Sequence, residues 1–246
     1  MNKVAKVTIF FWIMKICATT LGETAADQFS QTMKWGYAIP SALLLSFFFI
    51  TLGVQLWNRA FNPFIYWLVI VSTSTAGTAM SDFMDRTLGW GYTKGALVLF
   101  SCLALVLLIW RLTEGTLSVD NIKTRRAELF YWFAILFSNT LGTALGDFTS
   151  DDLNLGFMRS AALYGGAIAL VALAFSLNRA NRVLWFWIAF ILTRPFGAAF
   201  GDVFTKSHEK GGLGLGTLAP SLVLAALLIG FLAFTTARDK RTAALS

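Results

Sequence analysis

Four stretches decide the fold: Trp12–Asp27 (WIMKICATTLGETAAD), Trp67–Asp82 (WLVIVSTSTAGTAMSD), Trp132–Asp147 (WFAILFSNTLGTALGD) and Trp187–Asp202 (WIAFILTRPFGAAFGD). Each has a Trp, a Gly ten residues on (Gly22, Gly77, Gly142, Gly197) and an Asp five beyond that. A motif W-x9-G-x4-D repeated four times without a gap marks tandem structural units. The first and third copies stay in register as far as Asn58-Arg59-Ala60 and Asn178-Arg179-Ala180.

Around these stretches the chain is too apolar for a soluble domain, with 57% hydrophobic and 13% charged residues over 246 positions and a mean hydropathy of +0.66. A membrane span needs about 20 apolar residues, and such runs lie at roughly 7–27, 37–57, 64–85, 92–110, 128–148, 157–177, 183–203 and 215–236. The expected fold is an all-α integral membrane protein, its eight transmembrane helices forming four parallel hairpin repeats around a pseudo-axis along the membrane normal. An even number of spans per copy keeps every copy in one orientation, unlike inverted-repeat transporters. The units are 1–60, 61–112, 128–180 and 181–238, with a connector at 113–127 that should be cytoplasmic. Residues 1–20 have the outline of a secretory signal, but cleavage would remove part of the first copy's motif.

Charge placement gives orientation. The net charge of +7 does not form a basic stripe with interleaved aromatics, so nucleic acid is not an expected partner. Twelve Lys and Arg residues, from Lys3 and Lys6 to Arg238, Lys240 and Arg241, fall in segments on the N-terminal side; only Lys34, Arg86, Lys94, Arg159, Lys206 and Lys210 fall opposite. The positive-inside rule then predicts cytoplasmic termini in the cell inner membrane. Cys17 and Cys102 lie in apolar runs and read as small core residues rather than a disulfide.

The residue before each motif Asp stands four after the motif Gly and is small: Ala26, Ser81, Gly146 and Gly201. Small-xxx-small faces let helix backbones approach within lipid, so the odd helices belong inside and the even ones toward lipid. The four hairpins resemble a family of bacterial membrane proteins made of four tandem repeats of unknown function, each with two transmembrane regions. That resemblance implies the architecture and brings no substrate, catalytic residue or cofactor.

Positions four apart share a helix face. Stepping back from the motif Asp gives Asp27, Glu23, Thr19, Lys15; then Asp82, Thr78, Ser74, Ile70; then Asp147, Thr143, Asn139, Ile135; and last Asp202, Ala198, Arg194, Phe190. The stripe descends about 18 Å from Asp27 to Lys15. Buried charges cost roughly 2.5–3.5 kcal/mol each and usually line an interior or a wet cavity. The expectation is an outward-open acidic cavity in which Glu23, Asp27, Asp82, Asp147 and Asp202 hold a hard cation. Thr19, Ser74, Asn139, Arg194 and Lys15 should line its floor. A purely structural role would instead have the Asp residues cap loops or pair with Lys94 and Arg159, and would place the Trp ring in an interfacial belt or in packing. Pro195 should kink the seventh helix, and His208 reads as a solvated loop residue.

The chain carries no P-loop, HExxH, GxSxG or Cys/His cluster, so an enzyme is not expected. The function this points to is a secondary transporter of a small cation, a metal ion exchanged for protons through Glu23, in contact with the lipid bilayer and without a cofactor. An uncoupled channel and a non-transport scaffold are the alternatives; an anion carrier centred on Lys15 and Arg194 is disfavoured by the surplus of carboxylates.

Overall fold

The computed structural model describes residues 3–178 and 180–245; Arg179, in the register quoted above, lies outside the described residues. The chain is all-helical: α1 Ile9–Asp27, α2 Ala38–Trp57, α3 Pro63–Asp82, α4 Gly91–Glu114, α5 Arg125–Asp147, α6 Gly156–Leu177, α7 Arg182–Thr205 and α8 Leu218–Leu245. All eight are long and apolar enough to cross a membrane. Starts are set by side-chain caps that satisfy otherwise orphaned amides. Thr8 accepts from the Phe11 amide, Asn62 caps α3 just before Pro63, and Thr124 accepts from the Ala127 amide. α7 stays helical through Pro195.

In three copies the motif Asp ends the α-helix and a π-helical turn follows: Gln28–Thr32, Phe83–Thr87 and Phe148–Asp152. Such turns re-aim the residues beside them. A second bend comes nine residues after the Asp, where Gly36, Gly91 and Gly156 all take φ near +70° (69°, 69° and 71°), the left-handed region only glycine enters freely. The fourth copy has no π turn, and Lys206 leaves α7 in extended backbone.

α1, α3, α5 and α7 form a closed ring in which each packs on the next and α7 returns to α1. The even helices cover this ring and carry the exposed apolar residues, such as Leu97, Leu170 and Ile229. The packing of the outer helices goes beyond the hairpin expectation. α2 packs on α3, α4 on α5, α6 on α7 and α8 on α1, while each touches its own copy's inner helix slightly or not at all. Each outer helix leans on the inner helix of the following copy.

The motif glycines close the ring. A Cβ on Gly22 would strike Ser74, on Gly77 Asn139, on Gly142 Arg194, and on Gly197 Thr19. Each copy's notch is thus filled by the next copy's stripe residue, and the cycle returns from the fourth to the first. Gly142→Ala, whose new methyl meets Arg194 and Pro195, should lower stability in detergent by about 1–3 kcal/mol. Gly53→Ala, on the exposed face of α2 with nothing within 4 Å, should be neutral or gain up to about 1 kcal/mol. Equal thermal midpoints for the two variants would contradict this packing.

The Trp residues do not form a belt. Trp67, Trp132 and Trp187 are buried and Trp12 is half-buried, because the residue before each Trp continues the stripe and packs across the ring. Phe11 meets Trp67 at 5.7 Å between ring centres, Tyr66 meets Trp132 at 5.4 Å, and Phe186 meets Trp12 at 5.7 Å. Trp110 on α4 stands between Tyr131 and Trp187. The Tyr66 and Tyr131 hydroxyls are 2.6 Å apart. This aromatic layer closes the Trp end of the bundle.

Candidate functional site

The stripes of all four inner helices converge on the ring axis. At the Asp end, Lys206 Nζ lies 2.6 Å from Asp27 Oδ2 and 3.2 Å from Asp202 Oδ1. Across the ring, Arg86 Nε is 2.9 Å from Asp82 Oδ1 and Nη2 is 3.2 Å from Asp147 Oδ2. Each cation stands one helical turn beyond its own copy's Asp and bridges to the neighbouring copy's Asp. Fourfold repetition thereby becomes two clamps, one between the second and third copies and one between the fourth and first.

These clamps correct the expectation of an outward-open acidic cavity. The motif carboxylates are only 1–5% exposed, because Arg86 and Lys206 fold back over them. Lys94 and Arg159 are not their partners: Lys94 lies over the Trp90 ring, and Arg159 is exposed. Gln31, on the first π turn, donates to Asp27 Oδ1 at 2.5 Å and accepts from Lys206 at 3.0 Å. Burial opposes the Lys206 charge, but Asp202 and Asp27 outweigh it and hold its ammonium well above the usual lysine range.

One turn deeper lie Glu23, Thr78, Thr143 and Ala198. Ala198 leaves room, and the fully buried Arg194 rises from the level below to fill it. Its Nη2 donates to Glu23 Oε2 at 3.0 Å, to Thr143 Oγ1 at 2.8 Å and to Thr78 Oγ1; its Nη1 donates to the Thr19 carbonyl at 3.2 Å. Arg194 Nε is buried without a hydrogen-bond partner. Thr19 and Ser74, expected on the cavity floor, sit in the notches of Gly197 and Gly22 instead.

At the deepest polar level, Lys15 Nζ donates to Asn139 Oδ1 at 3.1 Å and stands 4.1 Å from the centre of the Phe190 ring. Below it comes the aromatic layer. At the Trp end, Lys3 donates to Glu128 Oε2 at 2.6 Å, and Gln55 donates to Glu128 Oε1 at 3.0 Å, tying the residues before α1 to α2 and α5.

Carboxylate oxygens of Glu23, Asp27 and Asp202 lie within 4.8 Å of one another, all buried. Asp202 Oδ1, though near Lys206, has no aligned hydrogen-bond donor. Three carboxylates from two adjacent inner helices are the hard oxygen donors that Mg²⁺, Ca²⁺ or Mn²⁺ prefer. Asp82 and Asp147 belong to the Arg86 clamp and lie outside this group. The sequence reading missed Arg86 and Lys206 as members of the site, although Asp82 with Arg86 and Asp202 with Lys206 stand at the four-residue spacing that brings helix neighbours together.

Eight spans, four tandem copies and a buried charged axis define a multi-pass helical membrane protein of the repeat class. The chain belongs to the family described as Repeat of Unknown Function (DUF347), which matches residues 10–61, 65–116, 130–181 and 185–241. Comparison with curated proteins and with solved structures gives no match.

Proposed function

We propose that this protein is a secondary transporter of a small cation, a metal ion, bound by Glu23, Asp27 and Asp202. The observation that carries the reading is the clustering of these three buried carboxylates on the ring axis, with Lys206 as internal counter-cation of Asp27 and Asp202 and Arg194 as that of Glu23. A substrate cation reaching the cluster competes with the Lys206 ammonium for Asp27 and Asp202. The clamp then opens when a metal binds and reseals when it leaves. Layers closed above and below the site favour a carrier over an uncoupled channel, and an acidic ring turned inward favours transport over a scaffold. Charge placement by the positive-inside rule supports an orientation in the inner membrane with the Asp end outside and the termini in the cytoplasm.

The test is flux of Mg²⁺, Ca²⁺, Mn²⁺ and Zn²⁺ into proteoliposomes under an imposed proton gradient. Asp202→Asn is expected to lose at least about tenfold in apparent affinity for the transported ion, equal to ~1.4 kcal/mol of binding. Glu209→Gln, in the loop after α7, should match the unmodified protein. Absence of flux for all four ions, or equal flux in Asp202→Asn, would reject the transporter.

A further inference from the structure

Four cations stand on the axis, and two of them, Arg86 and Arg194, carry guanidinium groups that do not give up a proton in proteins. Lys206 is pinned by two carboxylates. Lys15 differs: it is fully buried, and among the described residues no carboxylate lies within ion-pair distance of it. Its partners are an amide oxygen and a ring face.

The orientation of that amide is set by the chain around it. Thr73 Oγ1 donates to the Ile70 carbonyl at 2.7 Å, so the hydroxyl oxygen is left to accept. Asn139 Nδ2 donates to that oxygen at 3.0 Å, which turns Asn139 Oδ1 toward Lys15. An amine keeps N–H donors after losing a proton, so its bond to Asn139 survives in either state. A carboxylate partner would have tied Lys15 to the charged form; a neutral acceptor does not.

The charged and titratable groups around Lys15 are few. On α7 there is Arg194, on α1 itself Glu23 two turns away, and on α3 and α5 the Tyr66 and Tyr131 pair a turn nearer the Trp end. Cys17 is two residues on and therefore not on the same helix face. The first charged residue of α8 is Arg238, near the end of that helix. Formally, five carboxylates (Glu23, Asp27, Asp82, Asp147, Asp202) face four cations, an excess of one negative charge that a divalent ion overfills by one. Losing one proton then brings the axis to formal neutrality.

We propose that Lys15 is the proton-exchanging residue of the transporter, releasing its proton when a divalent cation binds the Glu23–Asp27–Asp202 cluster and regaining it when the ion leaves. This rests on the transporter reading, but replaces Glu23, which is committed to Arg194, as the coupling group. Lys15 acts here as a positioning and coupling residue that does not touch the ion.

The experiment is calorimetric titration of the full chain in detergent with Mn²⁺ in two buffers of different ionisation enthalpy, which counts protons released per ion bound. The unmodified protein should release about one proton per Mn²⁺, whereas Lys15→Met should bind Mn²⁺ and release none. Lys15→Gln keeps a donor for Asn139 and should behave as Lys15→Met does, so it decides the matter if the methionine variant fails to fold. Unchanged proton release in the variants overturns the assignment of Lys15 and leaves the metal site standing. No binding of Mn²⁺, nor of Mg²⁺, Ca²⁺ or Zn²⁺ titrated in its place, by the unmodified protein overturns the transporter reading and Lys15 together.

Discussion

In Arg194→Met, the unfolding free energy in mild detergent is expected to fall by about 3–5 kcal/mol, the usual consequence of stranding one member of a buried ion pair. The guanidinium is fully buried and holds Glu23, Thr78, Thr143 and the Thr19 carbonyl in one cluster. Removing it leaves Glu23 charged beside the Asp27 and Asp202 carboxylates, with the Thr78 hydroxyl as its one remaining hydrogen-bond donor among the described residues. The double variant Glu23→Gln/Arg194→Met removes both charges and should recover most of the loss. A double variant no more stable than the single one would show that the guanidinium acts through Thr78, Thr143 and the Thr19 carbonyl and not through Glu23. Denaturation monitored by circular dichroism or intrinsic Trp fluorescence measures both.

Lys206→Met should have the opposite sign for binding. The proposed competition between Lys206 and a substrate cation predicts that removing the ammonium tightens Mn²⁺ binding by at least about tenfold. Without metal the variant should be less stable, since Asp27 and Asp202 lose their bridge. Mn²⁺ at 100 times its dissociation constant should then return about 2.7 kcal/mol. Electron paramagnetic resonance of free Mn²⁺ gives the affinity, and a thermal shift gives the stability. Unaltered affinity in Lys206→Met would remove the competing-cation mechanism. The pH dependence follows from the raised Lys206 value: its stabilising contribution is complete below the ordinary lysine value of 10.5 and is lost only as pH rises through the higher native one.

Much of the architecture could be read before any coordinates, because the determinants were periodic. The Trp-Gly-Asp spacing placed four copies, hydropathy placed eight spans, and the four-residue stripe put Glu23, Asn139, Arg194 and the four Asp residues on the axis. What the pattern did not carry was which neighbour each surface meets. α2 carries Ser41, Thr51 and Gln55 on its buried face, but α1 and α3 both offer polar partners, so nothing in α2 alone distinguishes one from the other as its seat. The clamps were overlooked for a different reason. Arg86 and Lys206 follow the spans and read as loop charges that set orientation, which masks their four-residue spacing to Asp82 and Asp202. The aromatic layer was hidden one residue before each Trp, at Phe11, Tyr66, Tyr131 and Phe186, where the stripe changes from polar to aromatic. Lys3, Gln55 and Glu128 share no period, and only tertiary structure joins them.

The seating of each outer helix on the following copy has a consequence for biogenesis. Of the eight spans α1 is made before the others and its cover, α8, after them, so α1 waits with an uncovered flank while the other seven are made. The seam between the two halves is bridged twice, by α4 on α5 and by α8 on α1. Neither half encloses itself, and each presents the other with both a helix to cover and a helix to be covered by. Separately expressed halves should therefore find one another in the bilayer, while a chain truncated before α8 should persist as an unsealed intermediate exposed to membrane quality control.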